Sequence, residues 1–197
     1  RIGSTAVLAR LLIPEHFGLV MMVSAVTAIA DQLRELGLST ATIQQKEINH
    51  REVTNLFWIN VGAGTLLALV VCALSPAIAA FYNEPRLVVI TCILSANFIT
   101  GGLAVQHQAL LARRLEFKKT SLVRLLCTVL STLLAIFLAW KGFGFWALVW
   151  REIARNFLLA VGMWIALPWV PGLPYRDTSV RGLVAFGGNM TGANILA

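Results

Sequence analysis

The sequence predicts an all-α protein, a polytopic bundle of transmembrane helices. Hydrophobic residues make up 58% of the chain and charged residues only 13%, whereas charged residues approach about a quarter of a soluble domain. Mean hydropathy is +0.78, and apolar runs long enough to cross a bilayer of about 30 Å recur along the chain. Backbone groups in lipid must pair within their own segment, so these runs are predicted to be helices.

Five apolar runs can span a membrane. In chain order they cover residues 17–43, 54–82, 87–112, 120–140 and 145–167. The segments around them are short and polar or turn-forming, and they are residues 10–16, 44–53, 83–86, 113–119, 141–144 and 168–181. Short connections make consecutive helices antiparallel neighbours in one bundle.

Both ends of the chain resemble parts of further helices. Residues 2–12 have the composition of the last turns of a helix, and residues 182–197 enter an apolar run that is too short to cross about 30 Å at 1.5 Å per residue. We therefore expect a fragment with two parts. Residues 1–181 form a first transmembrane lobe, and residues 182–197 begin the next transmembrane helix.

Basic residues are unequally divided between alternate connections, which predicts the orientation. One set of connections holds eight, namely Lys46, Arg51, Arg113, Arg114, Lys118, Lys119, Arg176 and Arg181. The other set holds three, namely Arg10, Arg86 and Lys141. Loops rich in Lys and Arg face the cytoplasm, so the eight-charge end is predicted to be cytoplasmic. Trp58, Trp164 and Trp169 then lie near the inner boundary, and Trp140 with Trp146 flanks the outer turn.

Several other functions are disfavoured by the residue pattern. The net charge of +7 is dispersed between apolar runs and forms no basic stripe, which argues against a nucleic-acid partner. Cys72, Cys92 and Cys127 each lie inside an apolar run, with no CxxC pair and no histidine at ligand spacing, so they are interpreted as small buried hydrophobic residues rather than as a disulfide framework or a metal site. No catalytic set or cofactor-binding motif is evident.

Charged residues inside the fifth run are the first candidate site. An ionisable residue at the bilayer centre costs at least about 2.5–3.5 kcal/mol, so its presence suggests a function. Arg155 lies about 15 Å from the outer end at 1.5 Å per residue, and Arg151 and Glu152 lie one turn nearer that end. We expect Arg151 and Arg155 to share a wall of a cavity and to bind substrate, with Glu152 neutralising part of their charge. Interhelical ion pairing or snorkelling is the alternative.

A second charged cluster lies in the first run. Asp31 is near its middle, and Arg34 and Glu35 lie one turn away towards the basic end. The three residues form either an internally paired structural feature or a protonatable switch that couples export to an ion gradient. Asp31 could also pair with Arg155 across a cavity.

Polar residues near the basic end are weaker candidates. Arg124 can snorkel to the inner surface, where it would attract anionic headgroups, or it can contribute to substrate binding. Asn97 is polar enough to line a cavity, whereas residues 106–108 can hydrogen-bond between helices. Small residues such as Gly64 and Gly102 permit close helix packing, with hinging as the alternative.

Five motifs resemble those of the polysaccharide-transporter family, in the family's order. Residues 9–18, ARLLIPEHFG, resemble the turn after its first helix, and residues 37–45, GLSTATIQQ, the end of its second. Residues 78–87, IAAFYNEPRL, resemble its outer turn after the third helix. Residues 109–118, ALLARRLEFK, and 142–149, GFGFWALV, are similar to the loop after its fourth helix and the entry to its sixth. The resemblance extends over essentially the whole chain.

The resemblance implies a function that the composition does not. The family belongs to the multidrug/oligosaccharidyl-lipid/polysaccharide exporter superfamily, whose members have two bundles of about six helices and work by alternating access. It implies the first lobe of a flippase that moves lipid-linked oligosaccharide, carried on undecaprenyl diphosphate, across the bacterial inner membrane. Membrane lipids and other polysaccharide-assembly proteins are the implied partners. A drug/ion antiporter of the same superfamily and a membrane-bound polysaccharide polymerase or ligase are the alternatives.

Overall fold

The computed structural model describes residues 12–34, 42 and 49–174. Five long helices follow one another in it: α1 (Pro14–Arg34), α2 (His50–Tyr82), α3 (Arg86–Arg113), α4 (Phe117–Trp140) and α5 (Trp146–Ala166). The part of the chain that is described contains no strand. The predicted all-α fold is therefore confirmed.

The boundaries of α2 to α5 agree closely with the last four of the five apolar runs. Helix α1 begins at Pro14, three residues before the predicted run, and is described as far as Arg34; residues 35–41 and 43 of that run lie outside the described residues, as do residues 2–11 and 182–197. Helices α2, α3 and α4 are long and apolar enough to cross a membrane. Helices α1 and α5, which carry the candidate charged residues, are not among the helices of the described residues that meet this criterion.

Helix α2 has well-defined ends. At its start the Glu52 carboxylate accepts a hydrogen bond of 2.9 Å from the Asn49 backbone N–H, which satisfies a donor that the helix leaves unpaired. At its end Asn83 adopts a left-handed conformation with φ of 52°, which asparagine tolerates better than most residues. This turn returns the chain directly into α3, so α2 and α3 form a tight antiparallel pair.

Two glycines bring α2 and α3 into backbone contact. A Cβ atom on Gly102 would lie 2.7 Å from the carbonyl oxygen of Asn60, and one on Gly64 would collide with the carbonyl oxygen of Phe98. Gly62, by contrast, has open space where its side chain would be. Close packing, which was the simpler of the two predicted roles, is what Gly64 and Gly102 provide.

A disulfide joins Cys72 of α2 to Cys92 of α3, with their Cα atoms 4.5 Å apart. The interpretation of these two cysteines as isolated hydrophobic residues was therefore wrong, because the pairing is made across two helices and leaves no local spacing pattern. Cys127 is buried and free, as predicted. Pro76 lacks the N–H that would bond to the Cys72 carbonyl, and the Ser75 hydroxyl donates to that oxygen at 2.7 Å instead.

Helix α5 packs between α3 and α4, and α1 lies against α2, α3 and α5. At the end that holds the α2–α3 and α4–α5 turns, buried side chains of four helices form one apolar cluster, and they include Leu19, Val23, Leu87, Ile90 and Val149. This cluster closes that end of the space enclosed by α1, α3 and α5.

The opposite, basic end is closed by aromatic side chains and by the segment after α5. The Trp169 indole donates to His50 Nδ1 at 3.0 Å, and the Trp58 indole donates to the Gly172 carbonyl at 2.9 Å. Trp164 stacks on the buried His107 ring, with the ring centroids 4.5 Å apart. Trp58, Trp164 and Trp169 thus gather at one end of the bundle, in agreement with the predicted register.

Candidate functional site

A cavity of about 480 Å³ lies between α1, α3 and α5. Its volume is within the range of small-molecule sites, about 300–1,000 Å³. Polar side chains contribute much of its wall, although the surrounding helices are apolar. The polar lining residues are Asp31, Asn97, Thr100, Gln108, Arg155 and Asn156.

A second, smaller cavity of about 190 Å³ shares part of this wall. Asp31, Asn97, Arg155 and Asn156 line both, and Glu152 is added in the smaller one. The two volumes are therefore parts of one polar cleft between α1, α3 and α5, which we call the central cleft. Asp31 and Arg155, which lie on different helices, face it together.

Arg155 forms an ion pair with Glu152 on the same helix. The distance from the guanidinium nitrogen to the carboxylate oxygen is 2.9 Å, and the two side chains are 42% and 30% exposed. The spacing of three residues places them one above the other on α5. Arginine has five N–H donors in a planar fork, so this single carboxylate leaves donors that can contact an anion in the cleft. Glu152 thus lies close enough to neutralise part of the charge of Arg155.

Neutral side chains widen the polar surface beyond the charged pair. Asn97, which was expected to line a cavity, does so from α3. Asn156 was missed by sequence reasoning, although its position next to Arg155 in an apolar run could have drawn attention to it. Gln108 lies on the cleft wall and accepts a hydrogen bond of 2.9 Å from Arg124.

Arg151 does not lie on the central cleft with Arg155. It lines a separate groove of about 550 Å³ between α4 and α5, together with Arg124, Thr128 and Thr132. Its Nε atom is buried and has no hydrogen-bond partner among the described residues. The structure therefore brings Arg151 together with Arg124, and Arg155 together with Asp31.

Two other predicted site residues are only partly within the described structure. Arg34 is the last described residue of α1, but its side chain lies outside the description, as does the whole of Glu35.

Residues 106 and 107 are buried away from the cleft. There Gln106 accepts a hydrogen bond of 3.2 Å from Thr42, and His107 contacts the Trp169 carbonyl at 3.1 Å.

Among the described residues, the cleft is lined by one cation, Arg155, and by two carboxylates, Asp31 and Glu152. Within residues 12–34, 42 and 49–174, no three of the side chains that ligate metals are grouped to hold an ion. The donors that face the cleft are a guanidinium group and the amides of Asn97, Asn156 and Gln108. Guanidinium and amide N–H groups bind the oxygens of phosphate, carboxylate or sugar hydroxyl groups.

A helical bundle with three helices long and apolar enough to cross a membrane defines a multi-pass membrane protein, and its charged cleft lies among helices of this bundle. Residues 7–197 match the model of a family described as polysaccharide biosynthesis protein. The chain therefore belongs to this family, and the predicted resemblance is confirmed.

Named relatives agree with this assignment. The chain is 30% identical to the lipopolysaccharide biosynthesis protein WzxC of Escherichia coli over 96% of its own length and 39% of that protein. It is 26% identical to the succinoglycan biosynthesis transport protein ExoT of Rhizobium meliloti, over 96% of the chain and 38% of that protein. Over 53% of the chain and 22% of the relative, it is 31% identical to the teichuronic acid biosynthesis protein TuaB of Bacillus subtilis.

The chain thus spans about two fifths of the length of WzxC and of ExoT. No solved structure matches it significantly.

Proposed function

We propose that this chain forms the first lobe of a flippase that moves polysaccharide precursors linked to undecaprenyl diphosphate across the bacterial inner membrane. Residues 1–181 belong to that lobe, and residues 182–197 begin the next transmembrane helix. The proposal depends above all on one observation, which is that Arg155 reaches a polar cleft enclosed by three helices of a membrane bundle.

The chemistry of the cleft suits the lipid-linked end of such a substrate. A guanidinium fork binds phosphate oxygens through two parallel hydrogen bonds, and the effect is strengthened where water is scarce. The amides of Asn97 and Asn156 can donate to further phosphate or sugar oxygens. Family membership and the names of two relatives, one a transport protein for succinoglycan biosynthesis and one a lipopolysaccharide biosynthesis protein, support the same substrate class.

Acidic residues of the cleft are assigned a coupling role. Glu152 holds Arg155 at 2.9 Å, so an anionic substrate competes with this carboxylate for the guanidinium group. Asp31 supplies the second acidic group of the cleft wall, and Arg34 and Glu35, which follow it in the sequence, are assigned to the same coupling group. Uptake of a proton or cation by Asp31 or Glu152 would change the net charge of the cleft and thereby couple its occupancy to an ion gradient.

Arg124 and Arg151 are assigned a different role from Arg155. They line the groove between α4 and α5, and only Arg124 is connected to the central cleft, through Gln108. We assign them a secondary contact with the anionic group, outside the cleft. Loss of Arg151 is therefore expected to reduce transport less than loss of Arg155.

Replacement of Arg155 tests the proposal. In the full-length protein, Arg155→Ala should abolish delivery of the lipid-linked glycan to the outer leaflet, because a buried anion loses a charged partner worth roughly 1.5–3 kcal/mol. Arg155→Lys keeps the charge but not the fork, so it should retain part of the activity. Transport is measured as periplasmic exposure of the labelled glycan, with the amount of protein in the membrane determined in parallel.

The matched control is Lys141→Ala, which removes a basic residue from the turn between α4 and α5, outside the cleft. It should leave transport unchanged. Normal transport by Arg155→Ala at a normal protein level would show that the cleft does not bind the anion. Export of organic cations in place of the glycan would favour the antiporter.

A further inference from the structure

A second groove between α4 and α5 differs in character from both cavities described above. Its volume is about 530 Å³, and its wall is formed by apolar side chains that include Leu122, Leu126 and Leu130 of α4 and Val161 of α5, with one cation, Lys119, at its end. The three leucines are 51–57% exposed. On two helices of a membrane bundle, such a surface faces hydrocarbon rather than water.

The groove has the length of one membrane leaflet. Lys119 and Leu130 are eleven positions apart on α4, which corresponds to about 16 Å at 1.5 Å per residue. Half of a hydrocarbon core of about 30 Å is about 15 Å. The groove therefore extends from the basic end of the bundle to the middle of the membrane.

Close packing of the two helices forms the floor of the groove. A Cβ atom on Gly162 would lie 2.6 Å from Cγ1 of Val123, so the absence of a side chain at Gly162 lets α5 approach α4. Ile165, which is 77% exposed, and Leu126 rise on the two sides of this contact. A flexible hydrocarbon chain fits between such ridges without disturbing the helix contact.

One cation lines the end of the groove, and two more lie among the five residues that precede it in the sequence. Lys119 lines it and is 58% exposed, while pairing with Glu116. Arg114 and Lys118 are exposed in the same α3–α4 turn and first turn of α4. One carboxylate for three cations leaves this end positive, which complements an anionic headgroup.

We propose that this groove binds an anionic phospholipid, with one acyl chain along α4 and α5 and the phosphate at Arg114, Lys118 and Lys119. The occupant is identified by the combination of a hydrocarbon surface one leaflet long and a positive end at the headgroup level. The site lies outside the central cleft, so it adds a lipid ligand that the proposed transport activity does not require.

Native mass spectrometry of the full-length protein tests this site. The protein is extracted in mild detergent from nanodiscs of equal parts phosphatidylglycerol and phosphatidylethanolamine. The wild type should retain one phosphatidylglycerol after other lipids are stripped. Leu126→Trp fills the groove and should abolish retention, whereas Leu69→Trp, at a similarly exposed leucine of α2, should not. Combined Lys118→Gln and Lys119→Gln replacement should lower retention by at least about fivefold, since each basic residue contributes to headgroup attraction.

Each remaining outcome contradicts the proposal. Equal retention of phosphatidylethanolamine would show that the cations do not select an anionic headgroup. Retention that is unchanged in Leu126→Trp would place the lipid elsewhere. A dimer that is seen in the wild type and lost in Leu126→Trp would make the groove a contact between copies, and displacement of phosphatidylglycerol by added polyprenyl phosphate would make it a site for the substrate's own tail.

Discussion

Arg155 lies in a largely apolar helix, where its surroundings satisfy part of its charge. Insertion of an arginine at mid-membrane costs at least about 2.5–3.5 kcal/mol, and a nearby carboxylate offsets part of its charge. Glu152 supplies the compensating carboxylate on the same turn of α5. Arg155 lines the cleft as well as forming this pair.

Cysteine chemistry provides a prediction at the residue scale. When the protein is unfolded in detergent without reductant, N-ethylmaleimide should modify the peptide containing Cys127 but not those containing Cys72 and Cys92, because these two are joined. Reduction before alkylation should expose all three, which peptide mass spectrometry can count. Cys72→Ala provides the control, since it should free Cys92. Modification of all three without reductant would contradict the disulfide.

Sequence reasoning found the residues whose chemistry conflicts with their surroundings and missed those defined only by a partner. Asp31 and Arg155 were identified because a charged residue within an apolar run can be recognised from the sequence alone. The Cys72–Cys92 pair was missed because its two halves lie on different helices. The grouping of Arg151 with Arg155 was predicted from helical spacing, but four residues advance a helix by about 400° rather than 360°. That difference, with the packing of α4 against α5, places Arg151 on another groove.

Contact between α2 and α3 provides a prediction at the scale of the element. Gly102→Ala should lower the free energy of unfolding by about 1–3 kcal/mol, because the added methyl group meets the Asn60 carbonyl at 2.7 Å and the helices must separate. Gly62→Ala, which meets open space on α2, should be neutral or stabilising by up to about 1 kcal/mol through helix propensity. Thermal unfolding in detergent compares the two. Equal melting temperatures would show that the pair does not depend on close approach.

The turn between α2 and α3 holds a charged cluster that should respond to pH. Arg86 donates to Glu84 at 2.7 Å and to Glu15 of α1 at 2.8 Å. The hydrogen bond from Arg86 holds the pKa of Glu84 below its ordinary value of 4.5. Because the folded state binds this proton less well, the stabilisation is complete above about pH 4.5 and is lost as the pH falls through the lowered folded pKa.

Glu84→Gln isolates this effect. The difference in melting temperature between wild type and Glu84→Gln should be constant from about pH 5 to pH 7 and should shrink below about pH 4.5. This difference in melting temperature should be small, since the side chains of Glu15, Glu84 and Arg86 are solvent-accessible. In an Arg86→Gln background the same replacement should have little effect at any pH. A difference that grows as the pH falls would contradict the assigned sign.

At the scale of the whole molecule, the bundle is polarised from end to end. One end is closed by an apolar cluster and by the Glu84–Arg86 turn, and the other by aromatic rings and basic residues. The central cleft lies between these ends. The number and limits of the helices from α2 onward followed from hydropathy alone, because lipid imposes a length on each helix. Which helices enclose the cleft did not, because that depends on lateral packing.

Orientation across the membrane gives the last prediction. Lys118 and Lys141 lie 23 positions apart, at opposite ends of α4, which is about 35 Å at 1.5 Å per residue. With single cysteines introduced as Lys118→Cys and Lys141→Cys into a cysteine-free full-length protein, a membrane-impermeant maleimide should label the second in intact cells. It should label the first only after permeabilisation, because the excess of Lys and Arg predicts that the basic end faces the cytoplasm. Labelling after detergent solubilisation, which both variants should show, controls for thiol access. The reverse labelling pattern would show that the bundle has the opposite orientation. The Arg114–Lys118 turn would then lie outside the cytoplasm, and the lipid groove would lie in the outer leaflet.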